Sequence, residues 1–104
     1  MPARTKRSPS VPVPTRPLGH TGADVSIIGL GGYHLGLLDT PAEAVRVVHE
    51  AIDAGITLMD NAWEYHDGES EKRMGKALAK GKRERVFLMT KVCTHGRDAK
   101  TAMR

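Results

Sequence analysis

At 104 residues, with a formal charge of +4, the chain amounts to one small domain at most. It has no apolar run near the length of a membrane span and no secretory core at its start. Its one cysteine, Cys93, excludes an internal disulfide framework and fits a reducing compartment such as the cytoplasm.

The positive charge tempts a nucleic-acid reading, but it is unevenly placed. Arg4, Lys6, Arg7 and Arg16 stand in residues 1–17 without an acid. The sixteen Lys/Arg less these four leave twelve, against twelve Asp/Glu from Leu18 onward. The same stretch holds Pro2, Pro9, Pro12, Pro14 and Pro17, five of six prolines. Residues 1–15 are therefore expected to form a disordered basic leader, and residues 16–104 the folded part, with no nucleic-acid or membrane partner.

Arg16–His20 and Val25–Ile28 flank the glycine-bearing Thr21-Gly22-Ala23-Asp24, which predicts a hairpin. The glycine-rich run 29–36 follows and reads as a tight backbone passage. Thr40-Pro41-Ala42-Glu43 then combines an N-cap, a proline at the first helical position and a capping-box glutamate. Ala44/Val45, Val48 and Ala51/Ile52 make one apolar stripe on the helix so begun, Gly55 ends it, and His49 falls largely opposite the stripe, where solvent is expected.

Ile56–Asp60 reads as a buried strand, and Glu69–Lys80 as a second helix with Met74, Ala77 and Leu78 inward. Val86–Lys91 reads as another strand, and Asp98–Arg104 as the start of a third helix. Within this stretch Lys72–Arg85 is locally basic and reads as a wet helix face. Strand, helix, strand, helix, strand, helix-start is the order of a parallel α/β protein. A dinucleotide fingerprint G-x-G-x-x-G fails here, because His34 stands at the third glycine position and the helix begins only after Thr40.

Asp60 and Lys91 each close an apolar strand at its C-terminal end. Side chains alternate along a strand, and neighbouring strands lie about 5 Å apart. If these two strands are neighbours, a carboxylate and an ammonium meet above the same end of the sheet, and Tyr65 can fold back over them. The trio has a definite chemistry. A phenol with an ordinary pKa near 10 is too weak an acid for neutral pH, a nearby cation favours its phenolate, and a carboxylate holds that cation in place. Cys93-x-His95, with His34 and His66 elsewhere, is a weak zinc pattern, and no metal site is expected.

The stretches R-P-L-G-H-T-G-A-D-V-S-I-I-G-L-G-G, G-I-T-L-M-D-N-A-W-E-Y-H-D-G-E-S-E-K-R-M-G-K-A-L and V-F-L-M-T-K resemble the opening of an aldo-keto reductase. That resemblance implies an α/β chain of the TIM type, a partial (β/α)8 barrel with an N-terminal hairpin and about three βα units. It implies NADP(H), an aldehyde or ketone substrate, and Tyr65 as the proton donor beside Lys91 and Asp60. It also puts Gly32, Tyr33 and Asp60 near the cofactor and Trp63 in the wall of the substrate pocket. A whole barrel takes eight units and roughly 250 residues. The chain is accordingly expected to be a truncated N-terminal part that does not turn over alone. The family's catalytic histidine on a later strand has no counterpart here. Three strands would leave open edges able to take a partner, with Ile56, Leu58, Phe87 and Met89 on an uncovered face.

Overall fold

The computed structural model describes residues 11–92, Gly96 and residues 98–102. It begins with a hairpin of β1 (Thr15–Pro17) and β2 (Asp24–Ser26), paired antiparallel with Arg16 opposite Val25. Gly19 and Gly22 take positive φ in the turn, as only glycine does readily. The boundary expected after residue 15 falls inside this hairpin, since Thr15 pairs with Ser26. The described end of the proline-rich stretch is also tied down, because the Val13 N–H donates to Ala54 O at 3.0 Å.

Three strands make the second sheet: β3 (Gly29–Gly31), β4 (Leu58–Asp60) and β5 (Phe87–Met89), all parallel in the order β3-β4-β5. The glycine-rich passage thus begins with a strand. Gly29 and Gly31 carry no side chains that could show a period of two, so the pattern hides it. A 3-10 turn over Tyr33–Leu37 follows, then α1 (Pro41–Asp53). Helix α1 starts as its letters predict, with Glu43 N–H donating to Thr40 Oγ1 and Thr40 N–H to Glu43 Oε1, both at 3.2 Å.

A second 3-10 turn, Tyr65–Gly68, leads into α2 (Glu69–Ala77), and α3 (Ala99–Ala102) closes the described chain. Asp98 caps α3 by accepting from the Thr101 N–H at 2.8 Å. Helix α2 stops short of the expected Lys80, because Lys80 and Gly81 both adopt positive φ (61° and 86°) and turn the chain away.

Register sorts the sheet into two faces. Leu30, Met59 and Leu88 are aligned across it and point at the helices, where Met59 is wholly buried among Val48, Ile52, Met74 and Leu78. Burying one such methionine contributes about 1.5–3 kcal/mol. Gly29–Leu58–Phe87 and Gly31–Asp60–Met89 form the rows of the opposite face. Leu58, Phe87 and Met89 lie there as expected, but Ile56 does not. It precedes the strand, donates its N–H to Ala51 O at 2.9 Å and packs on the helical core. His49 also departs from expectation. It is half-buried, and Nε2 meets Ala77 O at 2.8 Å at the end of α2. Among the described residues no helix is long and apolar enough to cross a membrane.

Candidate active site

The parallel ladder between β4 and β5 runs on past the strands themselves. Asn61 N–H donates to Met89 O at 2.9 Å and Trp63 N–H to Lys91 O at 3.1 Å. Lys91 lies two residues beyond Met89 and therefore returns to the face that carries Asp60. Its Nζ stands 2.5 Å from Asp60 Oδ1, donates to Asn61 O at 2.8 Å, and sits 5.3 Å from the centre of the Tyr65 ring. Asp60, Lys91 and Tyr65 are thus gathered at the C-terminal end of the sheet. The hydrogen bond to Asp60 holds Lys91 above the ordinary lysine value of 10.5. Partial burial works the other way, while the charge of Asp60 and the Tyr65 phenol reinforce the rise. Both side chains of the ion pair keep a little over two-fifths of their surface open, so a molecule arriving at this end of the sheet can reach them.

Gly31, Gly32 and Tyr33 come off the end of β3 beside this pair. Gly31 shares the row of Asp60, and a Cβ there would meet nothing within 4 Å, so the face next to the carboxylate is open. Gly32 is the reverse case. Its N–H donates to Asp60 O at 2.6 Å, and a Cβ would lie 2.5 Å from Asn61 Cγ. Tyr33 is 46% exposed and stands edge-on to Tyr65, ring centres 5.2 Å apart at 87°. Trp63 is half-buried on the connection between Asp60 and Tyr65, fixed by its backbone to Lys91.

Asn61, His66, Ser70 and Arg73, to which the sequence pattern gave no part in this site, hold these parts in place. Asn61 is buried, accepts from Ala62 N–H at 2.9 Å and donates to Ser70 O at 3.2 Å. His66 and Asp67 take left-handed backbone (φ 54° and 55°), at a cost of order 1 kcal/mol each. The surrounding contacts hold that turn. His66 Nε2 meets Tyr33 O at 3.0 Å and its ring lies 4.7 Å from that of Tyr33. Gly36 permits the approach, since a Cβ there would overlap the His66 ring and sit 2.7 Å from Ser70 Oγ. Arg73 is buried and donates to Glu69 at 2.8 Å, Leu35 O at 2.5 Å and Leu38 O at 2.9 Å, stapling the first turn to α2. The one sequence signal for it was the Glu69–Arg73 spacing of four on a helix.

Among the described residues, no three or more of His, Cys, Asp and Glu gather as a metal site. Cys93 and His95 lie outside the described residues.

A family model described as the aldo/keto reductase family matches residues 27–104. Aldo-keto reductase dtxS3 of Metarhizium robertsii is 43% identical over 83 residues, which cover 71% of this chain and 22% of that protein. The 6-dehydroglucose reductase of Novosphingobium aromaticivorans is 40% identical over 90 residues, 78% of this chain and 30% of its own length. Among solved structures, a putative aldo-keto reductase from Pseudomonas aeruginosa superposes with a TM-score of 0.67 at 42% identity, covering 75% of this chain and 30% of that one. The holo form of aldo-keto reductase AKR11C1 from Bacillus halodurans gives 0.66 at 37%, covering 75% and 25%. The chain therefore spans less than a third of the length of each. Its parallel sheet and helices form part of a (β/α)8 barrel.

Proposed function

From the premise that this chain belongs to the aldo/keto reductase family, a family of oxidoreductases, we propose that its residues serve NADP(H)-dependent reduction of an aldehyde or ketone. Tyr65 is the proton donor in this reading. The observation that carries it is the position of Lys91, hydrogen-bonded to Asp60 and facing the ring of Tyr65.

The chemistry follows from that position. Reduction leaves a carbonyl oxygen negative unless it gains a proton, and a bound nicotinamide supplies the hydride to the carbon. Tyr65 gives its hydroxyl proton to the oxygen, so the carbonyl becomes an alcohol and the phenol becomes a phenolate. The Lys91 ammonium opposes that new negative charge. Asp60 keeps Lys91 both charged and aimed, and Asn61 O takes a second ammonium hydrogen, which restricts the head group further. The open face at Gly31 fits a flat ring laid beside Asp60. Gly32, Tyr33 and Asp60 are the residues to hold it, and Trp63 walls the substrate side.

The test is a chimera in which residues 16–104 replace the matching segment of the Pseudomonas aeruginosa relative. Carbonyl-dependent oxidation of NADPH by a folded chimera is the expected result, and its absence would sink the reading.

A second reading has its own observation. β3 and β5 are the two edges of the three-stranded sheet, and Met89 and Val92 are 39% and 51% exposed at one of them. In that case the chain associates with a partner through its strand edges and performs no chemistry. A defined hetero-complex, formed equally well by Tyr65→Phe, would favour it.

A further inference from the structure

The segment Lys72–Arg85 carries seven cations (Lys72, Arg73, Lys76, Lys80, Lys82, Arg83 and Arg85) and one acid, Glu84. Arg73 turns inward to Glu69 and two carbonyls, and so belongs to the machinery of the first turn. Three of the others do something different. Lys76, Lys80 and Lys82 line a hollow of about 390 Å³ between α1 and the end of α2, together with Val45, His49, Ala77 and Ala79. That volume falls in the range of small-molecule sites.

No acid lines this hollow. Glu84 lies on a different one, beside Arg85 and Thr57. Among the described residues, Lys76, Lys80 and Lys82 form no ion pair, although Lys82 is half-buried. The carbonyl end of α2 offers the lysines about half a negative charge, which leaves most of three positive charges uncompensated. His49 adds no negative group. Its Nε2 faces the carbonyl of Ala77, which only accepts, so that nitrogen carries hydrogen. A concave, partly apolar surface lined by three lysines is complementary to an anion of more than one charge.

We propose that this hollow binds a multiply charged phosphate group, either free or borne on a small apolar body. Helices in a parallel α/β unit run opposite to the strands, so the end of α2 lies across the sheet from Asp60 and Lys91. The site is therefore separate from the one already described and does not depend on the function proposed for it. Lysines suit such a ligand because an ammonium binds phosphate as a point charge without demanding a fixed planar geometry.

Calorimetric titration of the chain with inorganic pyrophosphate, adenosine monophosphate and adenosine tests this. One saturable site for the two phosphates, weakening steeply with added salt, and no binding of adenosine are expected. Tighter binding of the monophosphate assigns a ligand with an apolar body, and tighter binding of pyrophosphate assigns free phosphate. Replacing both Lys80→Gln and Lys82→Gln should weaken binding about tenfold, since each exposed pair is worth about threefold. Lys76→Gln, on the solvent face of α2, should weaken it about threefold and serves if the double variant loses its fold. Arg83→Gln, outside the hollow, should change nothing. Absence of saturable phosphate binding, or an equal loss in Arg83→Gln, would overturn the proposal.

Discussion

Lys91 reaches back across the ends of two parallel strands so that its ammonium lies 2.5 Å from Oδ1 of Asp60. Strand register causes this. Asp60 is aligned with Met89, and Lys91 is the next residue on that face. The pair is more than two-fifths exposed at each end, so its worth to the fold is small, about 0.2–1 kcal/mol. Its value lies in where it points. Asp60→Asn and Lys91→Met should each shift the urea midpoint only slightly, while lowering turnover of the chimera by at least about a hundredfold. A variant that loses several kcal/mol of stability instead would show the pair to be structural.

The same pair sets a pH dependence at the alkaline end. Lys91 is raised above 10.5 when folded, mainly by its hydrogen bond to Asp60. Its contribution is therefore complete below 10.5 and disappears as pH rises through the higher folded value. The stability difference between wild type and Lys91→Met should be constant from neutral pH to pH ~9 and shrink above pH ~10.5. Denaturant melts at several pH values measure it, and a difference that shrinks between neutral pH and pH ~9 would assign the effect to another group.

Two adjacent glycines make opposite predictions. Gly32→Ala would drive a methyl to 2.5 Å from Asn61 Cγ, and Asn61 is buried between Ala62 and Ser70. It should cost about 1–3 kcal/mol in thermal or chemical melts. Gly31→Ala meets nothing within 4 Å and should leave stability nearly unchanged, while filling the space beside Asp60. Weaker binding of NADPH by an otherwise stable Gly31→Ala chimera is the expected result. Equal stability losses in the two variants would show that the contact with Asn61 is not what sets them apart.

Arg73 should matter more than a helix-surface arginine. Arg73→Ala leaves Leu35 O and Leu38 O without their donor, at a cost of about 1–3 kcal/mol. Hydrogen exchange should rise in residues 33–38 before it rises in α1. Unchanged exchange there would mean that the turn is held by His66 and Ser70 alone.

How much of this was legible in the letters varies by element. Helix α1 could be placed to the residue because Thr40, Pro41 and Glu43 act on their own neighbours. The strands around Met59 and Leu88 could be found because apolar runs mark buried strands. β3 could not be read, since two of its three residues are glycine, and the departures at Ile56 and His49 depend on which neighbour each meets in space. The 3-10 turns at Tyr33–Leu37 and Tyr65–Gly68 were invisible for a related reason. His66, Ser70 and Arg73 hold the first turn by carbonyls 33 to 38 residues earlier in the chain. The grouping of Asp60 and Lys91 was foreseeable because alternation within each strand puts both on one face. The clamp of Asn61 on Gly32 was not, because nothing in a lone asparagine after a strand says what it packs against.

The most direct measurement is the turnover of the chimera carrying Tyr65→Phe, which removes one oxygen and leaves the ring beside Tyr33 and Lys91. A fall in kcat of about two to four orders of magnitude, with cofactor binding unchanged, is the predicted result. Turnover retained within about tenfold would contradict the assignment of the proton to Tyr65.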